Sequence, residues 1–175
     1  MIIGKLLYSI LFTVVFCLLN TAYVESVNLP EFRPKEVKDL NKLEDFNTIE
    51  EFENYVNDYV QGCLDTGGGG TAAIQCLVAV KLWDRELNII YKKLYKSLDE
   101  IGMRKLKKSQ KAWLMNRNLS VEFTADLLYK EYPISGTMYY LLSAAAADRL
   151  IAPIVKNRVM TLRKWFESVN EGIGK

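Results

Sequence analysis

The sequence predicts an all-α fold, a bundle of about four helices, and two observations carry that reading. Apolar residues recur by threes and fours over long stretches from residue 49 onward. Glycine and proline together number 14, too few for a many-turned β fold. The bundle is expected to carry a Gly-rich loop tied by a disulfide, and to follow a signal peptide (1–22) and a flexible acidic arm (23–48), with the helical domain over 49–171.

The N-terminus has the anatomy of a secretory signal. Lys5 supplies the positive n-region, and Leu6 to Leu19 form an apolar run of h-region length. That run is short of the roughly 20 apolar residues of a membrane span. Cleavage fits after Ala22 or Ser26, and the competing reading is an uncleaved anchor. Cys17 is no lipid attachment site, because Phe16 stands where a small residue is required and the apolar run continues past it. The expected location is periplasmic or secreted, with the membrane touched only through the signal.

Removal of residues 1–22 leaves two cysteines, Cys63 and Cys76. In an oxidising compartment such a pair bridges, which would add up to ~3 kcal/mol on the chain-entropy model; free thiols are the alternative. The spacing suits neither a CxxC redox pair nor a zinc site. Histidine is absent, which removes the commonest general base and metal ligand. Catalysis by carboxylates alone stays open as the minor alternative, but Asp84 and Glu86 point to different helix faces and make a poor acid/base pair. No metal, cofactor or catalytic residue is expected, and the chain is read as a non-enzyme.

In residues 23–48, Pro30 and Pro34 interrupt a dense, aperiodic run of charge, so the stretch is read as a mobile arm. Thr48 and Glu51 have capping-box spacing, and Phe52, Tyr55, Val56 and Tyr59 then step at helical period toward Cys63. Gly67, Gly68, Gly69 and Gly70 follow. Four glycines resist any regular element, and no Lys-Ser/Thr pair follows to make a phosphate-binding loop. The stretch is either a plain connector or, with Thr66 and Thr71, a partner-binding loop. A second helix is expected from Ala73 to Leu98, closed near Gly102 as a C′ residue. A third is expected from Met103 to Tyr129. A fourth should run from Thr137 to Val169, kinked or split by Pro153.

Charge is unevenly placed. Residues 23–61 carry ten acids against four bases, and residues 92–117 carry nine bases against two acids. The densest basic part, Arg104 to Lys111, has no aromatic residue on which a base could stack, so nucleic acid is not expected as a partner. The stretch is read as a solvated face, as a patch for an anionic partner, or as a seat for the acidic arm.

Three polar motifs stand at helical spacing. Asp84, Asn88 and Tyr91 share a face beside Leu87; Leu106, Gln110, Trp113 and Arg117 share another, followed by Asn118; Arg158 and Leu162 lie on the last helix. Polar groups in an apolar seam need partners, so Asp84 is expected to pair with Arg117, and Asn88 with Gln110. The set is read chiefly as fixing helix register, with a ligand pocket as the alternative.

The pattern D-x-x-L-N-x-x-Y, then L-x-x-x-Q-x-x-W-x-x-x-R-N, after two spaced cysteines in an exported chain, resembles the LprI-like lysozyme-inhibitor family over about residues 60–166. The resemblance implies a small, helical, cysteine-bridged envelope or secreted protein, and a protein partner that in some members is a lysozyme. A second cysteine pair often seen in that family is missing here, where the sequence reads Leu119-Ser120-Val121 and Arg149-Leu150-Ile151, and Val155 replaces an expected threonine. Two roles follow from the resemblance: an inhibitor that occludes a glycosidase cleft with the Gly67–Gly70 loop, or an envelope interaction or immunity-type module that uses the basic stretch. Sequence leaves the oligomeric state open.

Overall fold

The computed structural model describes residues 33–67 and 69–173. The expected signal peptide, the arm before residue 33 and Gly68 lie outside the described residues. Four α-helices make up the described part: α1 (Ile49–Thr66), α2 (Ala79–Lys96), α3 (Glu100–Glu131) and α4 (Thr137–Ile173). Three short 3-10 segments, Val37–Asp39, Leu43–Asp45 and Gly70–Cys76, are the other helical elements among the described residues, which contain no strand.

Helix α1 starts where its capping box requires. The Thr48 hydroxyl accepts from the Glu51 N–H at 3.1 Å, and the Glu51 carboxylate accepts from the backbone N–H groups of Asn47 and Thr48. Its apolar face buries Phe52, Val56 and Cys63.

Helix α2 is shorter than its periodicity predicts. Ala73 and Cys76 belong to the 3-10 segment, and helical geometry begins only at Ala79. Val78 is the N-cap and offers no side-chain acceptor. The missing acceptor comes from α4: the Asp148 carboxylate takes the N–H groups of Ala79 and Val80 at 3.2 and 2.9 Å. A carboxylate there both satisfies orphan donors and suits the positive end of the helix dipole.

Gly102 does not close α2. It lies in the first turn of α3, where the Asp99 carboxylate caps its N–H at 2.7 Å. A Cβ at this position would sit 3.1 Å from Leu98 Cβ, so glycine answers to close approach here. Helix α4 runs unbroken through Pro153, which is exposed; the expected split does not occur.

The core lies chiefly between α2 and α4. Leu82, Leu87 and Leu94 of α2 pack with Val155, Val159 and Leu162 of α4, and α1 adds Phe52, whose ring meets Trp83 edge-on at 5.1 Å. Helix α3 joins this core only through Leu106 and, partly, Trp113. Composition and length would let α4 cross a membrane, but its second half is spent on this core.

The acidic stretch expected as an arm is packed over its described part. Leu40 and Leu43 are buried in the core. Arg85 holds the backbone from α2, donating to the carbonyls of Val37 and Leu40 at 2.7 Å and of Asn41 at 2.5 Å. It also pairs with buried Glu86 at 2.7 Å. Glu44 meets Lys93 at 2.7 Å. The segment therefore folds back as one reading of its charge suggests, but onto α2 rather than onto the basic row of α3.

Candidate functional site

The cysteine pair ties the end of α1 to the segment that precedes α2. Cys63 at the end of α1 and Cys76 at the end of the 3-10 segment are bridged, with Cα atoms 5.5 Å apart and both residues buried. Thirteen positions separate them, so the bridge closes a short loop of chain that contains the glycine run. The described part of this loop is more regular than its glycine content predicts. Helix α1 continues to Thr66, the Gly67 N–H donates to the Cys63 carbonyl at 2.7 Å, and Gly70 already opens the 3-10 segment. Gly70 has a φ of +66°, and a Cβ there would sit 3.1 Å from Thr137 Cβ. Glycine is required on both counts, because the loop is seated directly on the first residue of α4. Thr66, Gly69 and Thr71 stay exposed at the rim.

Beside this loop runs a groove of about 640 Å³ between the C-terminal half of α3 and the N-terminal half of α4. Thr71 and Ile74 form its loop edge, and Tyr129, Tyr132, Tyr139 and Tyr140 its far wall. The lining combines aromatic rings, short aliphatic side chains and the hydroxyls of Thr124 and Ser143. Such a surface offers apolar area together with hydrogen-bonding tips. The tyrosines carry no motif spacing. Their only signal in the sequence is their density between residues 129 and 140, on either side of Pro133.

The polar motif residues lie elsewhere, between α2, α3 and α4. Arg117 and Asp84 meet as expected, with 3.6 Å between Nη1 and Oδ1, but the pair is at the surface, with side chains 25% and 46% exposed. Arg117 also rests over the Trp113 ring and donates to Asn118. Asp84 and Arg117 line a cleft of about 470 Å³ with Asn118. Asn88 and Gln110 do not pair. Asn88 turns back to Asp84 on its own helix, donating to its carbonyl at 2.8 Å, while Gln110 accepts from Arg158 at 3.0 Å. Leu87 is buried and Tyr91 half-buried, stacked on Tyr95.

Arg158 is the buried cation of the set. Its guanidinium donates to Gln110 and to the Ser109 hydroxyl, both at 3.0 Å, and lies against the rings of Trp113 and Trp165. No carboxylate faces it among the described residues. Burial holds its pKa below the ordinary arginine value, opposed by the nearby Tyr91 hydroxyl. Two indole faces and two neutral acceptors thus stand in for a counter-ion. The arrangement ties α3 to α4 in one register, with Arg158 itself buried. Among the described residues no group of His, Cys, Asp and Glu is placed to hold a metal.

Three functional or structural contributors escape a reading of spacing alone. Arg85 and Glu86 lie inside the first motif, yet the carbonyls that Arg85 holds are 44 to 48 residues away. Asp148 follows the alanine run 144–147, where a lone carboxylate is the one visible hint of a remote cap.

A protein-family model described as "Lysozyme inhibitor LprI" matches residues 63–153, a little over half of the chain. No curated protein and no solved structure matches the chain.

Proposed function

Because the chain belongs to the lysozyme inhibitor LprI family, we propose that it is an exported binding protein that blocks a lysozyme-type glycosidase, and that the contact is made by the disulfide loop and the rim of the tyrosine-lined groove. One observation carries the reading: the matched span starts at Cys63 and so takes in the bridged loop, Thr71, and every residue lining the groove beside it. A glycosidase cleft presents a pair of carboxylates, between roughly 5 and 9.5 Å apart. A narrow loop of glycines and threonines can enter such a cleft, offer N–H and hydroxyl donors to those carboxylates, and lose little entropy because the bridge pre-orders it. The tyrosines then cover the cleft's edge, supplying the aromatic area in which protein interfaces are enriched. Export follows from the same reading, since a lysozyme is met outside the cytoplasm and the bridge needs an oxidising compartment.

The test is inhibition of cell-wall turnover by a panel of lysozymes, with binding followed by calorimetry. The intact protein should slow at least one enzyme, and Thr71→Arg should weaken that inhibition without changing the helical signal in circular dichroism. No binding to any lysozyme, or inhibition indifferent to changes at 66, 69 and 71, would falsify the proposal.

A second reading, an envelope interaction or immunity-type module, draws support from the exposed bases Arg104, Lys105, Lys107, Lys108 and Lys111 on α3. It expects lysozyme activity to be untouched and a partner contact that weakens with salt and with charge reversal in this row.

A further inference from the structure

Helix α3 has two apolar sides, and its own fold uses only one. In the C-terminal half, Thr124 and Leu128 are buried. Met115, Leu119, Phe123 and Leu127 recur at four-residue steps, so they form one slowly winding row within an arc of about 120°. They are 68%, 57%, 63% and 46% exposed. At about 100° per residue the middle of this row points about 160° away from Leu128. None of the four residues belongs to the main core.

We propose that this outer face of α3 is a self-association surface, and that its occupant is the same face of a second copy, crossed antiparallel about a two-fold axis. Three observations select a second copy. First, the row is self-complementary. An axis through the middle of the row sets Leu119 against Phe123 of the other copy, and Met115 against its Leu127, each contact occurring twice as a two-fold interface demands. Rows at four-residue spacing are also the ridges that interdigitate in the commonest helix-pair geometry, at a crossing near about 50°.

Second, charge favours the antiparallel sense. Between residues 100 and 115, α3 has five bases against Glu100; between 118 and 131 it has Glu122, Asp126 and Glu131 against Lys130. With this axis Lys111 of each copy falls opposite Glu131 of the other, whereas parallel crossing sets Lys111 over Lys111 and Glu122, Asp126 and Glu131 over their own copies. Asp126 and Glu122 beside the row also make a lipid surface a poor occupant, since burying carboxylates among acyl chains is costly.

Third, the area suffices. Four large side chains at these exposures present on the order of 500 Å² of apolar surface, the size of the largest and often functional patch on a typical monomer. The polar residues between them bring the face toward the ~800 Å² per partner of a standard interface.

The experiment is mass determination by light scattering after gel filtration at ~100 µM chain, well above a micromolar Kd. The full mature chain should run as a dimer in the absence of any lysozyme, so the result is independent of the inhibitor reading. Leu119→Glu with Phe123→Glu should weaken association by ~30-fold or more, as losing a central anchor does. Circular dichroism should stay unchanged, because both side chains are more than half exposed in the single chain. Leu119→Glu with Phe123→Lys should associate measurably more tightly than the double glutamate variant, though more weakly than the parent. Only the antiparallel two-fold brings the new carboxylate at position 119 opposite the new ammonium at position 123 of the other copy, and it does so twice. A monomeric parent protein overturns the proposal. So does a dimer indifferent to the double glutamate change, or a monomer that instead sediments with phosphatidylcholine–phosphatidylglycerol vesicles. Equal failure of both double variants would leave the surface but overturn its antiparallel geometry.

Discussion

The two ends of the long helices behave as different materials. Around Phe52, Leu82 and Val159, side chains from three helices and from the folded-back stretch 37–46 close completely on each other. Between residues 114 and 150, no residue joins that core, and Met115, Phe123, Tyr129, Met138 and Tyr140 are more than half exposed. Both regions are helical and both are rich in apolar residues. The difference is in what the apolar residues face. At the core end each helix spends its one apolar stripe on a neighbour. At the distal end α3 and α4 carry more apolar surface than two helices can hide from water, and the surplus is available for recognition. The Cys63–Cys76 bridge stands beside this distal end and fixes the one loop that leans on it. The described part of the chain thus divides into a half that closes on its own core and a half that keeps apolar surface exposed.

The contrast is tested most severely by paired truncations. Phe52→Ala should cost ~3–5 kcal/mol of unfolding free energy, since it opens a cavity under Trp83 where no solvent enters. Phe123→Ala should cost no more than ~0.5 kcal/mol in the single chain. Urea unfolding of both variants settles the matter, and comparable losses would show that the distal end is packed after all. Next in size is Arg85→Ala, which removes the donor to three carbonyls of residues 37–41 and leaves Glu86 buried without its cation. A loss of ~3 kcal/mol is expected, together with faster proteolysis before residue 48. Stability lost without release of that segment would mean that Arg85 acts only through Glu86.

Much of the fold can be read from the sequence, though not this contrast, and the part that cannot has a physical cause. Four helices, the capping box at Thr48, the bridge and the pairing of Asp84 with Arg117 all follow from short-range rules or from the small number of available partners. The misread points are those at which tertiary contacts override local signals. A continuous helical period from Ala73 onward suggests one helix, but the bridge at Cys76 and the remote carboxylate of Asp148 set its start six residues later. Gly102 looks like a stop until the crowding of Leu98 against it is known. Pro30 and Pro34 with dense charge suggest a free arm, whereas Leu40, Leu43 and the Arg85 contacts, reaching across more than forty residues of chain, bring the described part into the core. Burial of the motif residues is likewise invisible to spacing: Arg158 proved to be the enclosed one and Arg117 the one at the surface.

Asp148→Ala should then cost ~1 kcal/mol, the usual worth of a helix cap, through fraying of α2 at Ala79 that hydrogen exchange would locate. Smaller still is the Asp84–Arg117 coupling. With both side chains partly in water, a double-mutant cycle should return less than ~1 kcal/mol, shrinking further in salt. A coupling of several kcal/mol would place that pair in the rigid half rather than at the border between the two.

The smallest expected effect belongs to Glu44 and Lys93, which tie the folded-back stretch to α2 at the surface. The Lys93 ammonium, by its hydrogen bond and its charge, holds the Glu44 carboxyl below the ordinary value of 4.5. A carboxyl depressed in the folded state binds protons more readily when the chain unfolds. Its contribution is therefore complete above about pH 4.5 and disappears as pH falls through the lower folded value. Because both groups are largely solvated, the contribution should stay below ~0.5 kcal/mol. Comparing Lys93→Met with the parent protein across that acid range isolates it: the two stability curves should converge at the acid end and part slightly above it. Curves that run parallel throughout would mean that Arg85, and not this ion pair, is what keeps residues 33–48 on the core.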